Sequence, residues 1–258
     1  MQSALIGHTG FVGGALATQH HFDECYHSKN IADIRGREFD LLVCSGVSAA
    51  KWWANQHADE DRSRIASLLD DLAQVRARRV IVISTVDVYP QSSGVDESFD
   101  CESRPNHAYG TNRLWFEQQM RALFSDPTVV RISGVFGPGL KKNVIFDLLH
   151  DNCLDAINPA SSFQYYNIAN LWRDLERLDK LALKLVNLAS EPIQTEAIIA
   201  AYFPGKIVGA KAAPEAHYDI RTLHGDALGS GSPYLTTAGE TMQDLGQFVR
   251  TFSASRTA

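Results

Sequence analysis

The stretch that most limits what this chain can fold into is its beginning. An apolar run, Ala4-Leu5-Ile6, stops at Gly7 and passes through His8-Thr9-Gly10 into Phe11-Val12-Gly13-Gly14. The pattern predicts a buried strand, a tight turn and a helix N-terminus. There, free backbone N–H groups and the helix dipole attract an anion such as a pyrophosphate. Gly7 permits the turn, Gly10 lets the backbone approach the phosphates, and Gly13 lets helix and strand pack closely. Thr9, Phe11 and Val12 are expected to line the same turn.

The alternation continues. After a helix over 11–20 comes a short strand at 23–27, then polar Ser28-Lys29-Asn30. Residues 40–46 form an apolar strand whose small terminal residues, Cys44, Ser45 and Gly46, are assigned to the ligand mouth. Ile65, Leu68, Leu69, Leu72 and Val75 mark one helix face at 3.6 periodicity. Val80-Ile81-Val82-Ile83 is continuous and β-branched, as a central parallel strand buried on both faces requires. It ends in Ser84-Thr85. A loop over 91–105, a helix around 109–124 and a strand at 128–133 ending in Ser133 follow. The pattern predicts an α/β fold, a Rossmann-like doubly wound parallel sheet with right-handed crossovers.

Beyond residue 140 the alternation loosens. A helix carries Leu171, Trp172, Leu175, Leu178 and Leu181, and a strand spans 184–188. Thr195 is expected to cap a short helix, residues 205–232 read mostly as loops, and Thr237 with Glu240 is a capping-box signature for a last helix. We expect a first domain over 1–190, with a substrate segment at about 136–165, and a small C-terminal substrate lobe over 191–258.

The 258 residues carry a net charge of −6, which argues against nucleic acid as a partner. No apolar run is long enough to span a bilayer, so no membrane partner is expected. The four cysteines show no CxxC and no metal spacing with the nine histidines. Reduced thiols in a cytoplasmic protein without a metal are the expectation.

Tyr109 and Arg113, four apart on a helix, share a face. Thr85 ends the central strand at the edge where ligands bind in such sheets. A hydroxyl, a phenol and a cation meeting there suit hydride chemistry. The hydroxyl orients the substrate oxygen, the phenol passes a proton, and the cation lowers the phenol pKa while binding the cofactor ribose.

At these residues the chain resembles the extended short-chain dehydrogenase/reductase superfamily, the NAD-dependent epimerase/dehydratase-like proteins. Residues 7–13 are similar to its GxxGxxG fingerprint, and Ser84-Thr85-Val86-Asp87-Val88-Tyr89-Pro90 to its SSxxVYG segment. Tyr109-Gly110-Thr111-Asn112-Arg113 with Glu117 resembles YGxSKxxxE. Residues 131–138 resemble RxxxVYGP, and Val186-Asn187-Leu188 the late VYNLG strand. The resemblance implies an NAD(P)-dependent oxidoreductase or epimerase acting on a carbonyl or sugar-like small molecule, with Thr85, Tyr109 and Arg113 catalytic. Ser84, Tyr109, Arg113 and Ser133 join the glycine turn in holding the cofactor. It also implies a possible homodimer through the helices around 62–75 and 109–124.

The departures from the family pattern are informative. Arg113 stands where the family carries lysine. No acid follows the second strand. Ser28, Lys29 and Asn30 stand there instead and favour the 2′-phosphate of NADP, with NAD possible. Asp87 holds the place of an acid found in family dehydratases, although Val86 replaces their second one. A cofactor-binding regulatory or scaffold protein without turnover is the competing reading. Intact Thr85 and Tyr109 favour the enzyme.

Overall fold

The computed structural model describes residues 2–257, and side chains as far as residue 254. Along the chain run β1 (Ser3–Ile6), α1 (Phe11–Gln19), β2 (Glu24–Tyr26), β3 (Glu38–Cys44), α2 (Lys51–Gln56), α3 (Ala58–Leu72), β4 (Arg76–Thr85), β5 (Ser93–Val95) and α4 (Ala108–Leu123). There follow β6 (Thr128–Ile132), β7 (Gly134–Phe136), α5 (Val144–His150), β8 (Ser162–Phe163), β9 (Tyr165–Asn167), α6 (Leu171–Lys180) and β10 (Leu185–Leu188). The last elements are β11 (Ile193–Gln194), α7 (Thr195–Tyr202), β12 (Asp219–Ile220) and α8 (Ala238–Thr257).

The chain divides into two compact units. The first holds residues 1–91, 98–132 and 169–186. Its sheet has the order β10-β6-β4-β3-β1-β2 and is parallel, as the alternation demanded. Strand order reverses at β1: β2 lies on one side and β3 on the other. The crevice between β1 and β3 is therefore a topological switch point, where sheets of this kind bind ligands. The core is built from Ala4, Ile6, Leu42, Leu72, Val82, Phe116, Met120 and Val129, nearly all inaccessible to solvent.

β4 begins at Arg76, four residues before its apolar run. The arginine-rich start reads as polar, but Arg76 pairs with Glu38 at 2.9 Å and Arg78 with Asp40 at 3.4 Å on the neighbouring β3. Cross-strand ion pairs thus extend a strand that hydrophobicity alone would cut short.

The second unit holds residues 92–97, 133–168 and 187–258. The expected substrate segment therefore lies with the C-terminal residues. Three small sheets, β7 with β9, β8 with β11, and β5 with β12, surround a core of Phe136, Ile145, Leu148, Ile198 and Leu245. The buried Gln164 amide ties this unit, donating to Ser190 O and Ile220 O and accepting from Ile220 N at 2.6–2.8 Å. The α8 capping box forms as expected: Thr237 Oγ1 accepts from Glu240 N, and the Glu240 carboxylate accepts from Thr237 N at 2.8 Å. Thr195 does not cap α7. Gln194 holds the cap position, and the Thr195 hydroxyl is buried without a partner.

Candidate active site

The glycine turn sits at the switch point. Gly7 takes φ +88°, a backbone region that favours glycine, and a Cβ there would lie 2.4 Å from Ser45 O. A Cβ on Gly13 would lie 2.2 Å from Gly7 O, so α1 packs on β1 only because that position is bare. Gly10 caps α1 in extended backbone, and a Cβ there would meet only Gly7 O, at 3.3 Å. Its outer side is open beside the N–H groups of the first helical turn, the donors a helix cannot satisfy internally. These features fit a dinucleotide pyrophosphate. Thr9 is exposed, and Phe11 and Val12 are half-buried around the same turn.

The remaining cofactor candidates divide sharply. Ser28 and Lys29 are exposed after β2. Asn30 is occupied by its own turn: its amide accepts from His27 N at 2.7 Å and donates to Cys25 O. Cys44 is fully buried and its thiol is pushed up to about 11 by desolvation, so its side chain is closed to a ligand. The Ser45 hydroxyl donates to Ile6 O at 2.8 Å, tying β3 to β1. Gly46 is exposed at the mouth. The Ser84 hydroxyl donates to Glu117 at 2.5 Å and belongs to an internal network rather than to a free face. Ser133, buried with an unpartnered hydroxyl, falls in the second unit.

Thr85 and Tyr109 do come together. Thr85 ends β4, and its Oγ1 accepts from Asp87 N at 3.1 Å, closing a turn of 3-10 helix over Val86–Val88. Asn106 fastens that turn to the start of α4 by donating to Asp87 O and Val88 O, each at 3.0 Å. His107 caps α4, its ring Nδ1 accepting from Gly110 N. A Cβ on Gly110 would lie 2.2 Å from Asp87 O, so the glycine after Tyr109 is what allows this approach. Tyr109 is 6% exposed, and the Thr85 hydroxyl favours its ionised form.

The phenol of Tyr109 is raised above its ordinary value, chiefly by burial, although the Arg113 cation lowers it as expected. Arg113 is itself buried, its guanidinium carbon 4.2 Å from the Tyr109 ring centroid. It donates bidentately to Asp61 at 2.6 and 3.0 Å and once more to Ser48 O. Asn112 also donates to Asp61, at 2.9 Å.

Beside Ser84 lies a second buried pair. Arg131 is held bidentate by Glu117, with a shortest contact of 2.7 Å, and lies over the Tyr89 ring. It fixes β6 to α4 and so supports the floor of the site.

Sequence reasoning missed Asp61, Lys51 and Asn55. Asn55 receives the Tyr109 N–H, and the Lys51 ammonium is 2.7 Å from the Asp87 carboxylate. For Asp61 a signal existed. It lies four residues before Ile65, on the apolar face of α3, and an acid on such a face needs a buried partner. Among the described residues no group of three or more His, Cys, Asp or Glu side chains could hold a metal ion.

The model of the NAD dependent epimerase/dehydratase family matches residues 38–175, more than half of the chain. No curated protein sequence matches significantly. Solved structures share the fold at low identity. MoeE5 in complex with UDP-glucose and NAD is 15% identical over 100% of both chains, with a TM-score of 0.74. The dTDP-4-dehydrorhamnose reductase of Yersinia enterocolitica is 15% identical, covering 98% of this chain and 100% of its own, with a TM-score of 0.72. The UDP-glucose 4-epimerase of Thermotoga maritima is 12% identical over 99% of both, also at 0.72. On the matched family model and the parallel sheet beneath it, the chain belongs to the NAD dependent epimerase/dehydratase family.

Proposed function

We propose that the protein is an NAD(P)-dependent oxidoreductase or epimerase of the extended short-chain dehydrogenase type, acting on a carbonyl or sugar-like substrate. One observation carries this reading: the junction of β4 with α4, fastened by Asn106 and closed at Gly110, brings the Thr85 hydroxyl near the buried Tyr109 phenol. The glycine turn, at the same edge of the sheet, would hold the pyrophosphate. When bound, a nicotinamide supplies hydride exchange with the substrate carbon. The protein's part is the proton and the geometry. Thr85 orients the substrate oxygen, and Tyr109 gives that oxygen a proton on reduction or takes one on oxidation. Burial keeps the phenol protonated near neutral pH, which poises it as the acid. Acting as the base requires a neighbouring positive charge.

UDP-glucose, bound in the MoeE5 structure, and the dTDP sugar for which the Yersinia reductase is named define the substrates to try first. Tyr109→Phe should keep cofactor affinity and lose turnover by about 100-fold or more. Wild-type turnover in that variant would defeat the reading.

We assign NADP as the preferred cofactor and NAD as the alternative. Ser28 and Lys29 are exposed after β2, and residues 27–30 include no carboxylate. A charge-assisted contact to the 2′-phosphate is worth about 1.5–3 kcal/mol, or roughly one to two orders of magnitude in affinity. Side-by-side titration of NADPH and NADH tests this. Equal or tighter NADH binding would contradict it.

A further inference from the structure

Residue 113 is the cation from which both phenol tuning and ribose binding were expected, and its surroundings give it different work. The Arg113 and Asp61 side chains are 4% and 3% exposed. Their bidentate pair is reinforced by Ser48 O on one side and Asn112 on the other. Opening a buried pair of this kind strands an uncompensated charge on each partner. The Arg113 Nε is buried without a partner of its own. Nε is the guanidinium nitrogen outside the brace and is closed off from solvent, so carrying the guanidinium out to a ribose hydroxyl would break the brace.

The other cation whose charge acts on the phenol is Lys51, on the first helix after β3 and hence at the ligand edge of the sheet. Its ammonium is 2.7 Å from Asp87, two residues after Thr85 in the turn that the Thr85 hydroxyl closes. The two side chains are 37% and 22% exposed, so this pair meets solvent and rearranges at little cost. A compact ammonium on a flexible stem has three donors. It can keep one on Asp87 and turn another to a ligand hydroxyl, which a braced guanidinium cannot do. The charge of Lys51 is also felt at both Tyr109 and His107.

We propose that Lys51, rather than Arg113, is the cation that meets the nicotinamide-side ribose hydroxyls, and that Arg113 with Asp61 is a brace holding the Tyr109 ring. This rests on the dinucleotide reading above. The substitution of the family's lysine by arginine is then no loss of function. Arg113 has a carboxylate partner, and the ligand contact falls to a neighbouring helix.

The test is calorimetric titration of NAD⁺ and NADP⁺ into four proteins: wild type, Lys51→Met, Lys51→Arg, and the double variant Asp61→Asn/Arg113→Gln, which removes both charges of the brace. Lys51→Met should melt like wild type and bind both dinucleotides about tenfold more weakly, the worth of one charge-assisted hydrogen bond. Lys51→Arg should recover most of that loss. The double variant should melt lower yet, while folded, bind within about threefold of wild type. Lys51→Met with wild-type affinity, or a folded double variant that loses tenfold or more, would overturn the inference and leave the dinucleotide reading standing. A wild type that binds neither dinucleotide would overturn both.

Discussion

Arg113 and Asp61 form a single buried ion pair, and each is stranded if the other is removed. Arg113→Ala should therefore cost about 3–5 kcal/mol of stability, measured by denaturant unfolding. A loss below about 1 kcal/mol would mean that the pair is not buried in solution. The residue scale is also where sequence reading succeeded and failed most clearly. The position of Thr85 at a strand end, and of Tyr109 and Arg113 on one helix, was legible, because strand ends and helical spacing need no tertiary information. The ion pair that holds Arg113 was not. It depends on Asp61, 52 positions away, and on a backbone carbonyl at Ser48. Lys51 escaped notice because its partner Asp87 is 36 residues on and α2 is only six residues long, too short for a periodic signal.

At the scale of elements, the junction between β4 and α4 builds the site, and Gly110 is its tightest point. Gly110→Ala would drive a methyl group into Asp87 O, a backbone atom that cannot swing aside. We expect a loss of about 1–3 kcal/mol with reduced turnover, read from melting and kinetics together. A variant with wild-type stability and turnover would show that the junction is loose. Most elements were legible from periodicity and caps. The capping box of α8 was visible as Thr237 and Glu240 three apart, and Thr237→Ala should cost about 1 kcal/mol in melting. No change there would mean that the box carries no stability. Two features were hidden for physical reasons. The arginines opening β4 are strand residues only because β3 supplies Glu38 and Asp40 opposite them. Thr195 looked like a cap, but it lies one residue inside the helix with its hydroxyl buried.

For the whole molecule, alkaline pH is a stress that the buried acids register. Cys44 is raised from 9.0 to about 11 and Tyr26 from 10.0 to about 12, chiefly by burial, and Tyr109 also moves up. The fold keeps these groups protonated while the unfolded chain ionises first. Their stabilisation is therefore complete below about pH 9 and is lost as pH climbs toward 12. Melting temperature should hold to about pH 9 and then fall, and a rise across that window would contradict the burial of these groups. We also propose a homodimer through the outer faces of α3 and α4. There, Arg62 stacks on Trp115 at 3.9 Å and Leu123 is 39% exposed. Light scattering showing a stable monomer at micromolar concentration would refute it.

Calorimetric titration of NADP⁺ into wild type and Gly10→Val decides whether a nicotinamide dinucleotide binds at the glycine turn. Gly10 has an ordinary φ of −80°, so valine there should fold. Its branched side chain would fill the space that the turn leaves for the phosphates. Saturable binding to wild type and none to the folded variant is expected. Unchanged affinity in folded Gly10→Val, or no binding of NADP⁺ or NAD⁺ to wild type, would contradict it.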